Sequence, residues 1–126
     1  MELKKRADMD PGFMWDLSHI FSDRSQWEAA LAEASRDMER LEAVKGTLGA
    51  SAESFKKGLD IMAETAQRVE LVYLYAMLQK SGDNGDPEYQ DMEARATNLY
   101  VAYGTACAFF DPELLAIPEA RLEEYL

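Results

Sequence analysis

Three stretches of this chain carry apolar residues at alternating steps of three and four. That spacing constrains the fold more than any other feature, because it stacks side chains on one face of an α-helix. Over residues 24–45 the stripe is Trp27, Leu31, Ala34, Met38 and Leu41. From Ser51 to about Lys80 it is Phe55, Leu59, Met62, Ala66, Val69, Tyr73 and Ala76. From Asp86 onward it is Tyr89, Met92, Ala96, Leu99, Tyr103, Ala106 and Phe110. No segment alternates with period two for more than a few residues, so strands are not expected. The punctuation agrees with the stripes. Ser22-Asp23 and Ser51 offer N-caps, Gly46 and Gly49 a stop, and Ser81–Gly85 a loop. Asp86-Pro87 and Asp111-Pro112 each pair an N-cap with proline at the first helical position, the second opening a short helix to about Ala116. Pro118 begins a last amphipathic helix that is still in mid-pattern at Leu126. The expected fold is all-α: three long antiparallel helices in an up-down bundle with short terminal helices. An N-terminal strap over residues 1–21 precedes a helical bundle domain over 22–126.

Composition narrows the class. A chain of 126 residues is enough for one small domain, and 48% hydrophobic residues can fill its core. With 13 Lys and Arg against 24 Asp and Glu, the formal charge is −11, which opposes binding to phosphate backbones; no nucleic-acid partner is expected. The longest strongly apolar run, Leu71–Leu78, falls far short of the ~20 residues a membrane-spanning helix needs, so no membrane partner is expected. Lys4-Lys5-Arg6 is not followed by an apolar run, as a secretory signal would require, and a cytoplasmic location is expected.

Chemistry-bearing residues are sparse. One histidine, His19, and one cysteine, Cys107, cannot assemble a His-rich or thiolate-rich metal site. There is no H-E-x-x-H, no C-x-x-C and no Gly-rich phosphate loop. Asp83-Asn84-Gly85-Asp86 lacks the start and the later Glu of a calcium loop and reads as a polar interhelix turn. Glu33, Arg36 and Asp37, with Glu39, Arg40 and Glu42, read as a solvated helix face. His19 reads as a capping or surface histidine and Cys107 as a small buried hydrophobe. Gly58 is a cost to the second helix if exposed, and Gly104 marks a close helix contact. No catalytic, cofactor-binding or metal-ligating residue is assigned.

The tyrosines stand out. Tyr73 and Tyr75, with Tyr100 and Tyr103, point in different directions around their helices and cannot all face one core. Leu71, Val72, Leu74 and Leu78 make the same stretch apolar nearly all round. A second surface that meets a partner is expected there.

Four segments together resemble one family. Trp15-Asp16-Leu17-Ser18-His19-Ile20-Phe21 resembles the W-D-L-S-x-[IL]-[YF] opening of oligoendopeptidase F and its relatives, zinc peptidases of the thimet-oligopeptidase type. Ser25-Gln26-Trp27-Glu28 fits the helix start that follows there, and Leu71–Ala76 a later helix. Gly85-Asp86-Pro87 and Phe110-Asp111-Pro112-Glu113-Leu114-Leu115 come in the same order and approximate spacing. His19, where the family more often has an acidic residue, and Ser81-Gly82-Asp83 depart from the pattern. The resemblance covers residues 13–126 and implies an N-terminal helical lobe. It places zinc, held by an H-E-x-x-H and a later Glu, in a separate catalytic domain whose residues are absent from this chain. The lobe is then expected to help wall a cavity for oligopeptide substrates, to pack against that catalytic domain, and to be inactive alone. As a fragment it is expected to self-associate into a homo-oligomer. The rival expectations are a free-standing helical protein-interaction module and a small-ligand bundle with tyrosines lining a pocket between the second and third helices.

Overall fold

Each long helix begins where a side-chain oxygen can take a free backbone N–H. The computed structural model describes residues 2–126. Helix α1 spans Arg24–Val44, α2 Ala52–Gly82, α3 Pro87–Ala106, α4 Phe110–Ala116 and α5 Glu119–Tyr125. Single 3-10 turns at Arg6–Asp8 and Pro11–Phe13 precede them. Among the described residues there is no strand. Asp23 accepts from the Gln26 N–H at 2.9 Å, Ser51 from Ser54 at 3.0 Å, and Asp86 from Glu88 at 2.8 Å. Such a cap contributes about 1 kcal/mol. Pro87 occupies the first turn of α3, where its missing N–H costs nothing. After α1 the chain turns at Gly46, whose φ of 82° is a conformation that residues with a Cβ avoid.

The contacts fix how the long helices lie. Trp27 Nε1 donates to the Val72 carbonyl at 2.9 Å, Arg68 to Asp37 at 2.5 Å, and Arg40 to Glu64 at 3.4 Å. Positions rise along α1 as they fall along α2. Lys80 pairs with Glu93, the Tyr73 ring meets Tyr100, and the Tyr103 hydroxyl donates to the Met62 carbonyl, so α2 and α3 also pair in opposite order. Arg24 reaches Glu88 and Glu28 reaches Arg95, so positions on α1 and α3 rise together.

The main core gathers Trp27, Leu31 and Ala34 of α1, Val69, Val72, Tyr75 and Ala76 of α2, and Met92, Ala96 and Leu99 of α3. The segment before α1 closes one end: Leu17 is buried and the Phe21 ring stands edge-on to Tyr75 at 5.3 Å. A second cluster holds Leu41, Val44 and Ile61. A third holds Leu48, Phe55 and Ile117, where α4 and α5 fold back over the α1–α2 loop. Tyr125 donates to the Gly49 carbonyl at 3.0 Å and its ring lies 5.6 Å from Phe55.

The sequence expectation for α1 and α3 agrees with the buried faces, but α2 is rotated. The structure buries Phe55, Gly58, Ile61, Thr65, Val69, Val72, Tyr75 and Ala76, while Leu59 is exposed and Met62, Ala66 and Tyr73 are only half-buried. The reason is that α2 packs against α1 and α3 at once, so its innermost line falls between the two contacts. Asp37 is likewise no surface residue: it is buried, with its carboxylate held by Arg40 at 2.8 Å and Arg68 at 2.5 Å. Gly58 is buried rather than exposed, and a Cβ there would stand 2.4 Å from Leu48 Cδ2. Gly104 makes no close helix contact; a Cβ there would meet open space. Asp111 is not a cap, because α4 already starts at Phe110 and its N-cap residue is Phe109.

Candidate functional site

Because α2 is apolar on more than one face, burying one face leaves another at the surface. Ala66, Glu70, Tyr73, Leu74 and Met77 run along this second face, with the core residue Val69 also reaching its lining. Thr97, Tyr100 and Tyr103 of α3 form the opposite wall. Together they line an open groove of about 620 Å³. The lining includes the Tyr73–Tyr100 pair, with ring centroids 5.6 Å apart and planes at 46°. Such a tilted aromatic pair contributes about 0.5–1.5 kcal/mol beyond the area it buries. Tyr100 remains 56% exposed. Tyr103 sits deeper, its hydroxyl donating to the Met62 carbonyl at 3.3 Å. Burial pushes its pKa up to about 12, with Cys107 adding to the shift. Glu70 is exposed and is the only charged residue in the lining. Among the described residues it forms no ion pair. The groove therefore offers aromatic faces, a flexible Met and Leu floor, and one uncompensated carboxylate.

The other residues singled out in the sequence take structural places. His19 is exposed, with Nε2 3.7 Å from Asp16. Cys107 caps the end of α3 beside the second cluster, and burial raises its thiol pKa. Asp83 accepts from the backbone N–H of Arg6 at 2.9 Å and of Gly85 at 3.2 Å, so the Asp83–Asp86 turn is a polar connection that also ties down the N-terminal segment. Among the described residues no three His, Cys, Asp or Glu side chains converge on a point where a metal ion could sit. The donors among the described residues do not fit a catalytic zinc site, which takes three protein ligands. No helix of the described residues is long and apolar enough to cross a membrane.

Comparison with known proteins bears on what this groove belongs to. No protein-family model matches the chain. Oligoendopeptidase F, chromosomal, of Lactococcus lactis subsp. cremoris is 35% identical over 114 residues, 90% of this chain and 19% of that protein. The crystal structure of oligoendopeptidase-F from Enterococcus faecium superposes with a TM-score of 0.76 at 27% identity, over 82% of this chain and 20% of that one. This chain is homologous to oligoendopeptidase F. Oligopeptidase PepF of Bacillus subtilis (strain 168) is 27% identical over 125 residues, 99% of this chain and 19% of that protein. The chain spans about a fifth of the length of the oligoendopeptidase F relatives it matches. The resemblance found in the Trp15–Phe21 and Phe110–Leu115 segments therefore holds across nearly the whole chain.

Proposed function

We propose that this chain is the N-terminal helical lobe of an oligoendopeptidase F-type zinc peptidase that hydrolyses short peptides. The observation that carries this reading is the pair of coverages: relatives named oligoendopeptidase F match 90–98% of this chain while extending about five times its length. In this reading residues 1–21 are a strap and 22–126 an up-down bundle of three long antiparallel helices with short terminal helices. The opposite pairing order of α1 with α2 and of α2 with α3 supports that arrangement. The metal ligands and the water-activating Glu belong to residues outside this chain, in a catalytic domain that the lobe packs against. The lobe contributes a wall of the substrate cavity and no catalytic group. A cytoplasmic location follows from the same reading.

The test is the size of the native protein in its source cells, read by immunoblot with an antibody raised against this chain. A band several times heavier than 14.2 kDa is the expected result. A single band at 14.2 kDa would overturn the lobe reading and favour a free-standing helical interaction module.

A further inference from the structure

The groove between α2 and α3 holds a carboxylate with no counter-charge, set beside two aromatic rings. Every other lining residue is apolar, aromatic or Thr97. The Tyr73 and Tyr100 rings pack against each other in the lining, and aromatic rings attract cations over their faces. Tyr73, Thr97 and Tyr100 make no side-chain hydrogen bond among the described residues, so their hydroxyls are free for a ligand. The volume, about 620 Å³, lies within the range of small-ligand sites. One side is open, so a longer peptide can run on past it.

Charge selects among occupants. An acidic segment would meet Glu70 and a chain of net charge −11. A second copy of this chain would bring another −11 and a second Glu70 to the same place, and like charges facing each other oppose association. A Lys or Arg side chain satisfies both features. Its aliphatic stem lies along apolar surface while its charged head stays near water and carboxylate.

We propose that this groove is a subsite for a short basic oligopeptide, with a Lys or Arg laid over the Tyr73–Tyr100 pair, its charged head at Glu70, and a neighbouring apolar side chain between Leu74 and Met77. The choice of a peptide as occupant rests on the peptidase-lobe reading. Leu74 and Met77 are flexible enough to receive side chains of several shapes. Glu70 is then a specificity-determining residue, touching the peptide and not the scissile bond.

The test uses the 126-residue chain labelled with ¹⁵N and titrated with the pentapeptide Ac-Ala-Leu-Lys-Phe-Ala-amide and a twin carrying Glu in place of Lys. The expected result is amide shifts confined to 66–77 and 97–103, with the Lys peptide binding about tenfold more tightly than the Glu twin. Glu70→Gln should weaken the Lys peptide about threefold, and Glu70→Lys should reverse the order of the two peptides. Glu70 is exposed on a helix, so an unchanged far-UV spectrum verifies that both variants fold. Equal binding of the two peptides, shifts elsewhere, or no shifts at all would overturn the proposal. So would groove shifts that track protein concentration without peptide, which would assign the face to a second copy. The immunoblot judges the lobe reading separately. A heavy band without peptide binding removes the subsite and keeps the lobe. A 14.2 kDa band with peptide binding removes the lobe and leaves a peptide-binding module.

Discussion

Replacing Asp37 by Asn should destabilise the chain out of proportion to one lost charge. The Asp37 side chain is 3% exposed, and both its oxygens are used: Oδ1 by Arg40 at 2.8 Å, Oδ2 by Arg68 at 2.5 Å. Breaking a fully buried ion pair costs about 3–5 kcal/mol, chiefly because the surviving charge is left without a partner. Here the survivors are better placed. Arg68 and Arg40 are 34% and 45% exposed and keep Glu33 and Glu64 at 3.3 and 3.4 Å. The cost should therefore fall to about 1.5–3 kcal/mol. Urea unfolding followed by far-UV circular dichroism at pH 7 measures it directly. The pH dependence supplies a second check. Burial raises the Asp37 pKa, but the hydrogen bonds from Arg40 and Arg68 outweigh it and hold the carboxyl below its ordinary 3.8. A carboxyl whose pKa is lower in the folded state contributes stability above the unfolded value, and that contribution is lost as pH falls towards the folded one. The gap between wild type and Asp37→Asn should thus be full at pH 5–7 and shrink below about pH 4. A gap under about 0.5 kcal/mol at pH 7, or one that does not narrow in acid, would refute the assignment of Asp37 as the polar tie between α1 and α2.

Other consequences can be checked on the same material. Gly104→Ala should raise stability by about 0.5–1 kcal/mol, because the position is open and helical. Gly58→Ala should lower it despite the same gain in helix propensity, because Leu48 is fully buried and has nowhere to shift; thermal melts of the two variants should move in opposite directions. Trp27→Phe removes the hydrogen bond to the Val72 carbonyl and part of a side chain with no exposed surface, and should cost about 2–4 kcal/mol in urea unfolding. An ultraviolet pH titration should show one tyrosine, Tyr103, ionising only near pH 12. Its raised pKa means that its contribution to stability is present below about pH 10 and lost as pH rises from there.

The legibility of the fold depended on how many phases each stripe allowed. In α1 the stripe, and in α3 its members Met92, Ala96 and Leu99, mark the buried face, although Tyr100 and Val101 of α3 are apolar and exposed. In α2 the run Leu71–Leu78 is apolar at nearly every position, so several faces fitted equally well in one dimension. Only the presence of α1 and α3 on two sides selects the line through Ile61, Thr65 and Val72. The same surplus made the groove partly legible, since Tyr73, Tyr75, Tyr100 and Tyr103 could not all face one core. Tyr75 is indeed in the core, and the other three line the groove. Asp37 was not legible at all. Its local pattern of alternating charges is that of a solvated face, and its burial comes from Arg68, 31 residues away. The start of α4 was misplaced for a local reason: Asp-Pro is a start signal, but the tight turn after Cys107 brings Phe110 into helical conformation first.

The chain's two tryptophans occupy opposite environments. Trp27 has no exposed surface, donates to a main-chain carbonyl and lies under the Arg95 guanidinium, 5.2 Å from the ring. Trp15 sits on the N-terminal segment, 63% exposed, beside Arg6, whose guanidinium donates to its carbonyl at 3.2 Å. Their emission is therefore separable by a water-soluble quencher such as iodide, which reaches the outer ring and not the inner one. The protein carries a pair of optical gauges, one reading the integrity of its core and the other the attachment of its leading segment, so release of that segment can be timed apart from unfolding of the helices behind it.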